Sequence, residues 1–409
     1  MNTKDRMTTD GLRAARRSGT TARVLRRGAS LALTVVCGAA ALAATGGGIP
    51  GVGEPGGPSG PLSESEMQLW LQGRALFDRD FTPAEGLGVP EFNADSCRAC
   101  HFDPVMGGAG PLELNVSRFA NNMGGHGPFT NLPGGQMLSK LRPPLDNTRE
   151  NYPVDQPDPS QNADLFEQRQ TPTLLGLGLI ESIPEAVILA NQDPLDLNGD
   201  QIKGVARILD VAGTPEVGRF GWKAQIPRVS DFVRDAMGGE MGITTPDDGR
   251  GFAFVTDVDA VADPELSPSD TDALTFFLAN LGPPIPGDQQ VGMVQRGKLV
   301  FTALRCDRCH IPVLEGANGP VPLYSDLLLH DVMGPAFQGM EEPGAPSGMY
   351  RTPPLWGVKD TAPYMHDGRA ATVQDAILQH KGEARFSSIG YQALGLDSQR
   401  ALLAFLESL

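Results

Sequence analysis

Cysteine, basic residues and long apolar runs are all scarce in this chain, and each shortage removes a class of protein. There are five cysteines in 409 residues. Cys37 lies in the N-terminal leader and the other four sit in two short motifs, which leaves none for a separate structural disulfide. Lys and Arg number 33 against 49 Asp and Glu. Eight of the basic residues and two of the acidic ones fall in the first 44 positions. The rest of the chain therefore carries 25 against 47, a net charge near −22. So acidic a surface argues against nucleic acid and anionic membranes as partners, and it steers a basic protein toward it. The one long apolar run, ASLALTVVCGAAALAA at residues 29–44, is short for a bilayer span of about 20 residues.

That run follows a basic stretch containing Arg13, Arg16, Arg17, Arg23, Arg26 and Arg27, and it ends in small residues. The pattern is that of a secretory signal cut near Ala43 or Ala44. Residues 1–44 are expected to be a signal peptide and the mature chain to be periplasmic, with no stable membrane span. Val36 stands where a lipid-anchoring signal wants a small residue, which argues against an anchor on Cys37. Residues 45–62, TGGGIPGVGEPGGPSGPL, read as a Gly/Pro linker.

The four remaining cysteines form Cys97-Arg98-Ala99-Cys100-His101 and Cys306-Asp307-Arg308-Cys309-His310. On a helical turn, positions i and i+3 share a face, so both thiols can add to the two vinyl groups of one haem. The adjacent His then lies beneath the macrocycle and can ligate its iron. Two zinc half-sites or a thioredoxin-like pair would also use Cys-x-x-Cys. Neither explains a His directly after both second cysteines, and neither motif lies in a βαβ pattern. Two covalently bound haem c groups are the expected cofactors.

The flanking sequence repeats as well. GRALFDRDF precedes the first motif and RQTPTLLGLG follows it; GKLVFTALR precedes the second and RTPPLWGV follows it. Each half reads as helix, haem motif, loop, then Thr-Pro and a turn. A Ser-capped helix is expected from Ser63, and another over DALTFFLANL, residues 272–281, closed by Gly282-Pro283-Pro284. Residues 102–165 read mainly as loop. The expected fold is mainly α and loop-rich, with little sheet. Two cytochrome c-like haem domains stand in tandem, an N-terminal one over 63–288 with insertions and a C-terminal one over 289–409.

RTPPLWGVKDTAPYMHDGRAATVQDAILQH resembles the second haem domain of bacterial di-haem cytochrome c peroxidases and the related MauG enzymes. GLGVPEFNADSCRACH, GLGLIESIPE, DLNGD, GRFGWKAQIP, GEMGITTP and YSDLLLHDVMG together resemble the di-haem oxidoreductase branch, over nearly everything from about residue 66 to 409. The resemblance implies a sixth ligand fourteen residues after His366 of His366-Asp367-Gly368, which is His380. A His310/His380 pair would saturate that iron and leave it to carry electrons. The first haem has His101, and no counterpart of His380 follows it. His126 is the candidate for a resting ligand there, with an open iron as the alternative; Met106, Met123 and Met137 are weaker candidates.

The resemblance further implies an acid–base Glu, which falls on Glu240, eighteen residues after Trp222. Glu181 and Glu185 stand in reserve. Phe232 falls where the family has a pocket Gln. Trp222 matches a tryptophan between the haems that relays electrons, whereas Trp70 and Trp356 read as core. An interdomain calcium is implied through Thr361 and Pro363, with Gln170 in place of the family's Asn. Asp196, Asn198 and Asp200 have 1-3-5 spacing but read rather as an Asx-rich turn. In SDLLLHD, the residues Asp326, His330 and Asp331 match nothing in the peroxidase pattern, and the apolar run before them favours a buried structural role. The expected activity is a peroxidase that reduces hydrogen peroxide with electrons from a small c-type cytochrome or cupredoxin. The alternatives are a MauG-like oxidase of a protein or organic substrate and a non-catalytic electron carrier. A second copy of the chain, in a homodimer, is the remaining partner to expect.

Overall fold

The computed structural model describes residues 49–88, 93–121, the backbone of 137–138, and 163–409. In chain order its α-helices are α1 (Glu64–Asp78), α2 (Leu177–Glu181), α3 (Glu185–Leu189), α4 (Val229–Ala236), α5 (Pro268–Ala279), α6 (Gly292–Ala303), α7 (Val373–Gln379), α8 (Arg385–Ala393) and α9 (Leu396–Leu406). The strands are β1 (Val116–Ala120), β2 (Met137–Leu138), β3 (Leu165–Arg169), β4 (Ile208–Val211), β5 (Thr214–Val217), β6 (Leu314–Gly316), β7 (Gly319–Val321), β8 (Leu329–Asp331) and β9 (Met349–Arg351). They form one antiparallel sheet in the order β2-β1-β3 and three two-stranded pairs, β4-β5, β6-β7 and β8-β9.

The two capped helices expected from the sequence are present. Ser63 accepts the Glu66 amide, and the Glu66 carboxylate accepts the Ser63 amide, so α1 starts on a capping box. Ser267 caps α5, with Pro268 in the first turn where its missing N–H costs nothing. Sheet is the departure. The strands run only two to five residues, too short for an alternating pattern to stand out between Gly and Pro turns. The chain is therefore helical with small sheets, and β1 and β2 lie inside the stretch expected to be loop.

One contact occurs twice. In α1, Gly73 lies so close to α5 that a Cβ there would sit 2.0 Å from the Ala273 carbonyl oxygen and 2.6 Å from the Phe277 Cβ. In α6, a Cβ on Gly297 would sit 1.9 Å from the Ala401 oxygen and 2.6 Å from the Phe405 Cβ of α9. One turn after each glycine a phenylalanine fills the seam. Phe77 meets Phe277 at 5.4 Å between ring centroids, and Phe301 meets Phe405 at 5.3 Å. The apolar interior follows these pairs. A large cluster runs from Trp70 through Phe277 to Trp356, and a second gathers Val294, Phe301, Tyr391, Leu402 and Phe405. Each fully buried aromatic is worth about 1.5–3 kcal/mol by area removed from water.

The described part of the Gly/Pro stretch does not behave as a free linker. Ser59 donates its amide to Asn280 O at 2.8 Å, Gly282 donates to Gly57 O at 2.8 Å, and Pro58 pairs with Leu281. Residues 49–62 thus cover the end of α5, because unpaired helix-end carbonyls there need donors. The expected signal peptide, with Cys37, lies outside the described residues.

Candidate functional site

Both Cys-x-x-Cys-His motifs open onto one cavity of about 740 Å³. In the first, Cys100 and His101 donate their amides to Cys97 O at 3.2 and 3.0 Å, so the motif is a single helical turn. Arg98 N bonds Phe77 O at 3.2 Å and hooks that turn to the end of α1. In the second, residues Cys306–Arg308 form a 3₁₀ turn, and His310 N bonds Cys306 O at 2.9 Å. Each histidine is set by the phenylalanine of its helix pair: Phe77 lies 6.5 Å from the His101 ring and Phe301 lies 6.5 Å from the His310 ring.

The imidazoles are anchored through one nitrogen. His101 Nδ1 lies 3.0 Å from Pro172 O and 3.3 Å from Gly108 O. His310 Nδ1 lies 3.0 Å from Tyr324 O. A carbonyl can only accept, so Nδ1 carries the proton and Nε2 is left with its lone pair. Burial pushes both rings down to about 4, with the nearby His380 adding to the effect at His310. Both are therefore neutral, which is the ligating form.

His380 follows the last turn of α7, which opens on a Thr372–Asp375 capping box. Its Nδ1 lies 2.7 Å from Ala376 O, and burial lowers its pKa as well. It lines the cavity together with His310.

The four thiols do not gather into one site. Among the described residues, the one group of metal-type side chains containing a cysteine is Cys309 with Asp326 and His330. A four-cysteine zinc site is thereby excluded. Burial pushes the Cys97 and Cys306 thiols up to about 12, opposite to the depressed pKa that a redox-active thiol needs.

Glu240 lies in a π-helical turn, Met237–Met241, that continues α4. Such turns insert one extra residue and re-aim a side chain. Asn93 Nδ2 donates to Glu240 Oε2 at 3.0 Å, and Asn93 N bonds Glu240 O at 2.7 Å. The carboxylate lines the cavity near enough to Cys97 to help raise that thiol's pKa. Phe232 lines the cavity too. The two reserve carboxylates do structural work: Glu181 accepts Val229 N at 2.9 Å at the start of α4, and Glu185 accepts Val217 N at 3.0 Å. Neither lines the cavity.

Trp222 lines the cavity, its Nε1 donating to Gln170 O at 2.8 Å. Trp70 is core, packed on Phe277 at 5.0 Å. Trp356 joins the same apolar cluster and also reaches the cavity wall. Thr361, Pro363 and Gln170 line the cavity, with the Gln170 amide nitrogen donating to Gly110 O at 3.1 Å. In the 196–201 loop, Asp196 accepts Gln201 N at 3.0 Å, Asn198 accepts Asp200 N at 2.8 Å, and Asp200 meets Arg305 at 3.2 Å. Those oxygens serve turns and an ion pair. Met106 packs on the large apolar cluster and is not part of the cavity wall. His126 and Met123 lie outside the described residues, and so does the side chain of Met137.

A buried charged cluster on the cavity wall escaped the sequence reading. Arg169 Nη2 lies 2.8 Å from Glu167 Oε1, and its Nη1 is buried with no hydrogen-bond partner among the described residues. Glu342 faces Arg118 at 2.5 Å and Arg207 at 2.7 Å. Burial favours its neutral form, but the guanidiniums prevail and hold it at about 2. Tyr350 stacks on His366 at 3.9 Å and donates to Glu167 Oε2 at 3.1 Å. Lys223, fully buried, caps the Pro346 and Met349 carbonyls at 2.8 and 2.9 Å, and burial lowers it to about 8. Burial also pushes His366 down to about 3, and its Nε2 has no hydrogen-bond partner among the described residues. The one sequence signal was an Arg shortly before each Thr-Pro, Arg169 and Arg351.

These residues fit two haems. Each motif offers two thiols and an imidazole Nε2, and a buried guanidinium nitrogen lacking a partner suits a group that carries acidic side arms.

Residues 146–409 match the family described as "Di-haem oxidoreductase, putative peroxidase". The matched stretch begins after the first motif and contains the second. No curated protein sequence matches. Among solved structures, the chain is similar to a MauG-like protein associated with microbial copper homeostasis. Identity is 16%, coverage is 88% of this chain and 92% of that one, and the TM-score is 0.43. It is also similar to hydrazine synthase of Kuenenia stuttgartiensis, with 16% identity, 89% and 98% coverage and a TM-score of 0.41.

Proposed function

The chain belongs to the di-haem oxidoreductase family, and from that premise we propose that it is a periplasmic c-type peroxidase that reduces hydrogen peroxide with electrons from a small redox protein. Bound haem would supply iron able to take up peroxide and to pass single electrons. Cys97 and Cys100 would hold one haem, and Cys306 and Cys309 the other. His101 and His310 would present Nε2 to the irons, each ring fixed by the carbonyl on its Nδ1.

The two sides have different tasks. His380 stands with His310 and would close that iron to small ligands, leaving it to accept electrons from the donor protein. Trp222, its ring fixed on Gln170 O, would relay them. On the first side the task is to move a proton. Breaking the peroxide O–O bond needs the proton of one oxygen carried to the departing one, and a carboxylate within reach does this. Glu240, which accepts from Asn93, would make that transfer. Thr361, Pro363 and Gln170 offer oxygens suited to calcium, which would hold this wall of the cavity in place.

The observation that carries the reading is the asymmetry of the cavity, with a second imidazole at one motif and a carboxylate at the other. The test is peroxide-dependent oxidation of a reduced donor cytochrome by the wild type and by Glu240→Gln, each with two haems per chain. The variant should lose about 10²–10⁴-fold in turnover. A wild type without turnover, both oxidised and half-reduced, would overturn the peroxidase reading.

A further inference from the structure

The SDLLLHD motif, which the peroxidase pattern leaves unexplained, supplies a buried bridge behind the second haem motif. His330, in β8, is 2% exposed. Its Nε2 lies 2.8 Å from Asp326 Oδ2 and its Nδ1 lies 2.8 Å from Glu383 Oε2. Both ring nitrogens face carboxylate oxygens, which can only accept when ionised, so both must donate. Each end of the bridge is fixed in turn. Asp326 N bonds Cys309 O at 2.9 Å, and Asp326 Oδ1 accepts Leu328 N at 2.9 Å. Glu383 also accepts Lys203 N at 2.8 Å and Asp331 N at 3.2 Å.

Glu383 comes three residues after His380, and the segment between them is pinned to the same strand. Lys381 N bonds Val332 O at 3.0 Å. Gly382 has φ +49° and approaches so closely that a Cβ there would lie 2.1 Å from Asp331 O. Cys309 Sγ is 3.7 Å from His330 Nδ1. The group Cys309, Asp326 and His330 resembles a cation site only in composition: both imidazole nitrogens are engaged by carboxylates, and haem attachment would consume the thiol.

We propose that Asp326, His330 and Glu383 form a clamp that positions His380, tying the segment behind it to the Cys306–His310 turn. His380 caps the end of α7, where Ala376 O holds its Nδ1; the clamp fixes the chain on its other side. This rests on the reading that His310 and His380 ligate one iron. His330 would act through the ligand, in the way outer-shell partners orient metal ligands.

The test compares wild type, His330→Phe and Glu383→Gln, each shown to carry two haems per chain. Glu383→Gln keeps the shape of the bridge and weakens one end, so it carries the test if His330→Phe does not fold. Electron paramagnetic resonance of the oxidised protein reads the bis-imidazole low-spin signal, and carbon monoxide uptake by the reduced protein reads displacement of His380. Wild type should show the signal and bind one carbon monoxide per chain. The variants should shift or lose the signal, and His330→Phe should take up a second equivalent. A wild type lacking the signal would remove the bis-imidazole reading and the clamp with it. A wild type with the signal, alongside variants identical to it in both readouts, would overturn the clamp alone.

Discussion

Glu342 and Glu265 show how opposite environments set opposite pH responses. Glu342 is held at about 2, below its ordinary 4.5, by Arg118 and Arg207 acting against burial. Its stabilisation is full above 4.5 and is lost only as pH falls toward 2. Removing its charge leaves the buried Arg207 guanidinium without its carboxylate, so Glu342→Gln should cost about 3–5 kcal/mol in denaturant unfolding at pH 7. Asp257 and Glu265 are raised by burial, to about 6 and about 7 from 3.8 and 4.5. One oxygen of each is buried without a hydrogen-bond partner among the described residues. An acid raised on folding resists ionisation, so its contribution is best below the unfolded value and is lost as pH climbs through the folded one. With a chelator present, the thermal midpoint should fall between pH 5 and pH 7.5, and Glu265→Gln should flatten that fall. An unchanged slope in the variant would contradict this assignment. At this scale the sequence exposed the residues whose chemistry repeats, the two Cys-x-x-Cys-His motifs, and the family resemblance pointed to His380. It hid Lys223 and Tyr350, because their meaning lies in partners more than a hundred positions away, Pro346 for the one and Glu167 for the other.

The helix pairs make a sharper prediction. Alanine is about 1 kcal/mol better than glycine inside a helix. At Gly73 and Gly297, however, the new Cβ would meet a backbone carbonyl oxygen at 2.0 and 1.9 Å. Backbone cannot rotate away as a side chain can, so the helices must separate, and overpacking of this kind costs about 1–3 kcal/mol. Gly73→Ala and Gly297→Ala should each lower the thermal midpoint, whereas Gly292→Ala, in the first turn of α6 with open space around its Cβ position, should not. If both buried variants were stabilised, the close crossing would be wrong. Of these helices α1 and α5 were legible through a Ser cap and an apolar pattern within one stretch, whereas α6 and α9 have no capping side chain and α9 was not read from the sequence. Nor were the strands, being too short to alternate visibly. The π-turn that carries Glu240 has no sequence signal beyond Gly238-Gly239, so its residue was found through the family resemblance and the spacing from Trp222.

For the whole molecule, the repeat and the asymmetry matter together. Two helix pairs of the same build deliver two histidines to one cavity, each 6.5 Å from its phenylalanine. The halves then diverge: α7 ends in His380 on one side, while α4 continues into the turn of Glu240 on the other. The repeat was readable from paired motifs. That both motifs share a cavity was not, since it depends on how the halves pack. Among the described residues no helix is long and apolar enough to cross a membrane. Electrons arriving from a small donor would meet an acidic surface, so donor oxidation should slow as salt rises if the donor is basic.

The central claim is that one haem is saturated and the other is free to bind a small ligand. Carbon monoxide titration of the fully reduced protein, with haem counted independently as two per chain, tests it most directly. The account predicts one carbon monoxide per chain, bound at the His101 side and retained in a His380→Ala variant that gains a second. Two equivalents in the wild type, or none, would contradict it.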